Sequence, residues 1–178
     1  MSNLNYTAAT WAIIDALGKD PDSSLHTRRV AEEAGVSVGA ASMILRILEG
    51  SHLVHVEVRG NMKFYSIDLL NPIAREFKVL YNVRMLYPLV ERLRENAEKI
   101  ILFGSCAEGL DSRDSDVDLF ILTQDPRPVK EVLRAFQKRF PRHLSPIIVN
   151  SEGQARLRRQ DSPLFSSIVR GRILWPKE

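Results

Sequence analysis

The chain has a single cysteine, Cys106, in 178 residues, so no disulfide can form within it. The lack of a disulfide framework suits a reducing compartment, and a cytoplasmic location is the expectation. No run approaches the roughly 18 apolar residues that a membrane span needs. The first residues lack the pattern of a signal peptide. There is no internal repeat and no low-complexity tract, which leaves out repeat architectures. An excess of one sign of charge is also lacking. The formal net charge is +3, mildly basic, and it suits a nucleotide or nucleic-acid ligand without requiring one. What is present is a 44% apolar share, enough for the cores of one or two small domains.

The most informative stretch runs from Ile100 to Leu122. Ile100 to Phe103 is a continuous apolar run, as expected of a strand buried on both faces. Gly104 permits a sharp turn and lets an anion approach main-chain N–H groups. Ser105 adds a hydroxyl at an expected helix start. Asp116 and Asp118 alternate on an expected second strand, which sets both carboxylates on one face. Two such carboxylates repel unless a cation lies between them, and a hard divalent ion with oxygen ligands, Mg²⁺, meets that need. A phosphate site facing a metal site across one hairpin suits phosphoryl or nucleotidyl transfer.

Gly104-Ser105, Gly109 and Ser115-Asp116-Val117-Asp118-Leu119 together resemble the signature of the DNA polymerase beta-like nucleotidyltransferase superfamily, closest to its minimal nucleotidyltransferases. The resemblance covers about the second half of the chain. It implies a small α/β domain and an NTP substrate. It also implies Asp116 and Asp118 as catalytic, Mg²⁺-holding residues, with nucleotide contacts from Gly104, Ser105 and Ser115. Active relatives place a third carboxylate on the strand after the second helix. Here that strand reads Leu144-Ser145-Pro146-Ile147-Ile148-Val149 and holds neither Asp nor Glu; Ser145 or Pro146 stands at the position where the third carboxylate is expected. The expected general base is therefore missing. A substrate, a partner chain or Asp125 would have to supply it; His143 is a conceivable substitute, but after Pro141 it reads as a surface-turn residue. Cys106 reads as a small packing residue, and Arg156, Arg158 and Arg159 as a solvated helix face.

The N-terminal part has a different pattern. A helix is expected over Asn5 to Leu17, a second over Thr27 to Ala34 stopped by Gly35, and a third capped by Ser37 and running to about Glu49. Ala41, Ile44, Leu45 and Leu48 form its core stripe. Val54, Val56 and Val58 alternate along a strand, Gly60-Asn61 turns it, and Met62 to Ile67 returns. The segment Leu25 to Asp68 resembles winged helix-turn-helix regulators. That resemblance implies DNA contacts by Arg46 on the third helix, Arg28 and Arg29 on the second, and Arg59 and Lys63 at the wing tip. Only Arg46 is basic on the outward face of the third helix, so a protein-contact role competes with DNA binding.

Asn71-Pro72 opens a further helix, with Asn as cap and Pro in the first turn. Pro88 is expected to break it near Leu86-Tyr87, with a second helix continuing to about Asn96. The stripe Phe77, Leu80, Val83, Tyr87 suits either packing or a homodimer seam. Helices over Pro126 to Phe140, over Ser151 to Gln160 (begun by a capping box at Ser151) and from Ser162 to Gly171 complete the pattern, with Ile173 to Trp175 as a last strand or a packed terminus.

The expected fold class is α/β. It comprises a winged helix-turn-helix domain (1–70), a helical connector (71–97) and a nucleotidyltransferase-fold domain (98–178). Two functions from different classes follow. One is an Mg²⁺-dependent enzyme that moves a nucleoside monophosphate from an NTP to a hydroxyl. The other is a DNA-binding regulator with a degenerate, nucleotide-sensing or dimerising domain. Minimal nucleotidyltransferases also accompany HEPN-type toxins, so the resemblance further implies one half of a toxin–antitoxin pair.

Overall fold

The structure is a computed structural model and describes residues 7–176. The chain divides into two compact units, Met1–Tyr81 and Asn82–Glu178.

In the first unit, α1 (Ala8–Gly18) begins where the Thr7 side chain accepts from the Thr10 N–H. The expected start at Asn5 lies outside the described residues. A two-residue strand, β1 (Leu25–His26), then leads into α2 (Thr27–Ala34). β1 was not expected, because two residues carry no period. Gly35 takes φ 64° as a left-handed cap, a conformation that costs glycine little. Ser37 caps α3 (Val38–Gly50) by accepting from Ala40 N–H.

β2 (Val54–Arg59) and β3 (Met62–Ile67) form an antiparallel hairpin closed by Arg59 opposite Met62, and β1 joins the other edge of β3. The core of this unit gathers Ile13, Leu17, Val30, Leu45, Leu48 and Ile67. The apolar face of β2 fades along its length. Val54 is buried and Val56 half-buried, but Val58 is 66% exposed, because the hairpin outruns its core.

The helix α4 (Pro72–Leu93) is capped by Asn71, whose Oδ1 accepts from the Ile73 and Ala74 N–H groups. It passes through Pro88 without a break, contrary to the expected stop near Leu86-Tyr87. Proline inside a helix costs about 3 kcal/mol. Leu86, Leu89 and Leu93 on the same helix are each at least 99% buried, and each such side chain contributes roughly 1.5–3 kcal/mol. Packing outweighs the lost hydrogen bond, and Pro88 itself sits on the exposed side. Along the suggested dimer stripe, Phe77 and Val83 each pack against a core, whereas Leu80 and Tyr87 are 39% and 60% exposed.

The second unit is built on a four-stranded sheet in the order β6-β5-β4-β7. Its strands are β4 (Lys99–Phe103), β5 (Val117–Leu122), β6 (Leu144–Val149) and β7 (Arg172–Pro176). β5 and β6 run parallel, and the other two pairings are antiparallel. The helices are α5 (Ser105–Glu108), α6 (Pro126–Gln137), α7 (Ser151–Gln160) and α8 (Ser162–Val169).

Both faces of the sheet are covered, as its continuous apolar runs require. Ile100, Leu102, Leu119 and Ile121 meet Leu89, Leu93, Val129 and Leu133 on one face. Ile101, Phe103 and Phe120 meet Leu157, Leu164 and Ile168 on the other. α6 stops at Gln137 rather than Phe140, whose ring turns back onto Phe136. α7 is capped by Asn150, whose Oδ1 accepts from Gly153 N–H, and not by Ser151. Asn150 is still extended as it leaves β6, which places its side chain one residue ahead of the expected box.

Candidate active site

The site grows out of the β4–α5–β5 hairpin. Its register sets Phe103 opposite Asp118. Between the strands, Gly104 turns with φ 68° and ψ −158°. A Cβ at this position would overlap the Asp118 carboxylate, so glycine is required both by the dihedral and by the space. Ser105 follows as the first residue of α5, and Gly109 ends that helix with φ 68°.

Asp118 lies on β5 on the same face as Phe120. Burial pushes its carboxyl above the usual range, a hydrogen bond from Ser145 opposes the rise, and the charge of Asp116 adds to it. Asp116 differs from expectation in one respect. It stands one residue ahead of β5 rather than on it, because the loop before it is held by other contacts. Its carboxylate is exposed and lies 3.3 Å from Nδ1 of His143. Ser115 turns its hydroxyl inward, where it accepts from Ser112 N–H at 2.9 Å and meets Ser112 Oγ at 3.0 Å.

Parallel pairing sets Ser145 directly beside Asp118. A neighbouring carboxylate would have to come from this position, and a hydroxyl occupies it. Pro146, the other candidate position, is paired with Leu119 and falls on the opposite face. Among the described residues, no group of three or more His, Cys, Asp or Glu side chains is gathered to hold a metal.

A set of residues that the sequence reading missed lies behind the loop. Arg142 donates to Asp111 at 2.7 Å, with side-chain exposures of 15% and 0%. Asn82 donates to the other Asp111 oxygen at 2.7 Å and to the Cys106 carbonyl at 3.0 Å. The only sequence signal was a lone aspartate in a Gly-Leu-Asp-Ser loop, which reads as solvated until its partner across 31 residues is known. Cys106 is fully buried in the core. A cavity of about 490 Å³, lined in part by Gln124, Asn150, Arg156 and Gln160, opens at the other ends of β5 and β6, away from Asp118.

The cations expected to touch DNA all lie in the first unit and are unequally engaged. Arg29 pairs with Glu32 and Glu33, and Lys63 with Glu49. Arg59 pairs with Glu57 at 2.6 Å, donates to Ser24, and lies 4.7 Å over the Phe64 ring. Arg28 and Arg46 are exposed.

Residues 86–160 match the nucleotidyltransferase domain family. The match supports the nucleotidyltransferase superfamily for this part of the chain and a nucleotidyl-transfer-like function. The matched stretch contains Gly104, Ser105, Asp116, Asp118 and Arg142. No curated protein and no solved structure matches the chain. Among the described residues, no helix is long and apolar enough to cross a membrane.

Proposed function

We propose that the second unit binds a nucleoside triphosphate with Mg²⁺ and transfers its nucleoside monophosphate to a hydroxyl acceptor at a low rate, with pyrophosphate as the leaving group. The observation that carries this is the Asp118 carboxylate lying against a glycine that cannot be replaced, with Asp116 beside it, inside the matched stretch. The donor set fits the ion. Asp116 and Asp118 are hard oxygen donors whose mutual repulsion a cation would relieve, and they would hold it. When bound, the ion offsets charge on phosphate oxygens.

The protein's own part is to bind and orient. Gly104 and Ser105 present main-chain N–H groups and a hydroxyl to the triphosphate. Ser115, its hydroxyl bonded to Ser112, shapes the loop. Ser145 takes no proton from an acceptor hydroxyl at neutral pH, so turnover is slow while binding persists.

Calorimetry with ATP and GTP, with and without Mg²⁺, tests the binding. Heat of binding is expected only when metal is present, and the Asp118→Asn protein is expected to lose it. Binding without metal, or unchanged in that variant, counts against the site.

Ser145 at the carboxylate position also favours a second reading, a regulator that senses a nucleotide without turning it over. A labelled-NTP transfer assay on lysate separates the two, with Asp116→Asn as control. Labelling by the wild type alone supports the enzyme, and its absence alongside measurable NTP binding supports the sensor.

We further propose that the first unit is a winged helix that contacts DNA. The order α1-β1-α2-α3-β2-β3 supports this, as does the exposed face of α3 with Ser42, Met43 and Arg46. Arg46→Ala is expected to lower discrimination between sequences. Arg59→Ala and Lys63→Ala are expected to weaken binding to all sequences, since exposed ion pairs yield readily to phosphate. No mobility shift with genomic fragments at low salt would overturn the DNA reading.

A further inference from the structure

Arg142 stands on the approach to β6, yet its hydrogen bonds end on the loop that carries Asp116. Its Nε and Nη2 both donate to the Ser115 carbonyl oxygen, at 3.0 and 2.7 Å. That oxygen belongs to the peptide bond leading into Asp116. Nη1 meets Asp111 at 2.7 Å, and Nη2 lies 3.0 Å from Cys106 Sγ. The Cys106 thiol in turn donates to the Asp116 carbonyl at 3.3 Å. The next N–H along, of Val117, donates to the His143 carbonyl at 2.9 Å. The backbone of Asp116 is thus held before it, at it and after it, and Arg142 or its chain neighbour supplies most of the contacts. Asn82 fixes the far oxygen of Asp111, so the Asp111 carboxylate cannot swing away from the guanidinium.

Stability alone does not call for this arrangement, because buried ion pairs are often no better than neutral replacements. What a guanidinium supplies is a rigid, planar set of donors that fixes directions, and a lysine ammonium lacks it. We propose that Arg142 is the positioning residue of the Asp116–Asp118 pair. By clamping the Ser115–Asp116 peptide it sets the Asp116 carboxylate at the separation from Asp118 that joint cation binding needs. The inference rests on the nucleotidyl-transfer reading above.

The test uses the full chain and Mn²⁺ alone as probe, with free Mn²⁺ followed by electron paramagnetic resonance. Two variants are compared with wild type. Arg142→Lys keeps a positive charge opposite Asp111 but cannot hold the Ser115 carbonyl with two donors. Asp111→Asn/Arg142→Gln removes both buried charges together and guards against simple unfolding. Both are expected to keep a cooperative urea transition and to lose about 10–100-fold in Mn²⁺ affinity, as outer residues that orient metal ligands do. Folded variants with wild-type Mn²⁺ affinity overturn the proposal.

If the wild type itself binds no Mn²⁺, the nucleotidyl-transfer reading falls, and hydrogen exchange decides the clamp. The Ser112 and Val117 amides are then expected to exchange about five- to tenfold faster in Arg142→Lys, the effect of weakening one hydrogen bond. Equal exchange in wild type and variant overturns it.

Discussion

Replacing Ser145 with Asp is expected to raise the rate of nucleotidyl transfer by about 10²–10⁴-fold, the usual worth of a placed general base. Strand register is the reason. β5 and β6 run parallel, and Ser145 is the residue paired with Asp118. Their side chains therefore emerge on one face of the sheet, the face that also carries Phe120 and Ile147. A carboxylate at this position would stand where an approaching hydroxyl can give up its proton. The half-buried Ser145 leaves room for a side chain two heavy atoms larger without opening the core. The same substitution at Pro146 serves as the control, since that residue points to the opposite face and is expected to leave the rate unchanged. The measurement is single-turnover transfer from labelled ATP. A Ser145→Asp protein that binds nucleotide and transfers no faster than wild type would show that the base is not what limits the reaction.

Arg142→Ala is expected to destabilise the protein by about 3–5 kcal/mol, the cost of removing one partner of a buried ion pair. Asp111 is 0% exposed, so the guanidinium cannot simply be exchanged for bulk water. Small domains are stable by only about 5–15 kcal/mol, so the loss is a large fraction of the whole. Asp111→Asn in the same chain is expected to restore most of it, because an amide needs no counter-charge. Urea denaturation of wild type, single and double variants at neutral pH gives the comparison. Equal midpoints for wild type and Arg142→Ala would mean that water reaches Asp111 and replaces the guanidinium.

These residues also show which parts of the chain can be read from its sequence. Thr27–Ala34 and Leu144–Val149 have the expected bounds, because local chemistry sets them: a left-handed glycine ends the helix and an apolar run defines the strand. The absence of a carboxylate from Leu144–Val149 was legible too, but Ser145 and Pro146 stayed alternatives, because only the pairing with β5 tells which of them stands beside Asp118. Pro88 was misread, because its penalty is local while the burial of Leu86, Leu89 and Leu93 that offsets it is not. Asp116 was expected on the strand, but the contacts that hold it ahead of β5 come from Arg142 and His143, far along the chain. Arg142 and Asp111 were invisible for that reason. A charge in a loop reads as solvated unless its partner is known. The same limit holds for Arg59 and Lys63, whose reach toward a ligand depends on Glu57 and Glu49.

The pairing of β4 with β7 bears on how the second unit is assembled. β4 spans residues 99–103 and β7 residues 172–176, and they pair from Lys99 with Pro176 to Leu102 with Arg172. Nearly the whole unit is therefore a loop closed by these two strands. Contacts so distant in sequence are slow to form, because chain entropy is lost before they are gained. During synthesis the apolar run Ile100 to Phe103 can pair with β5 as soon as the hairpin emerges, but its other edge stays open until residues 172–176 become available. An open apolar edge on a nascent chain is a template for intermolecular pairing. The last strand is thus the closing piece of this unit, and a chain shortened before Arg172 would expose the most apolar strand edge the unit contains.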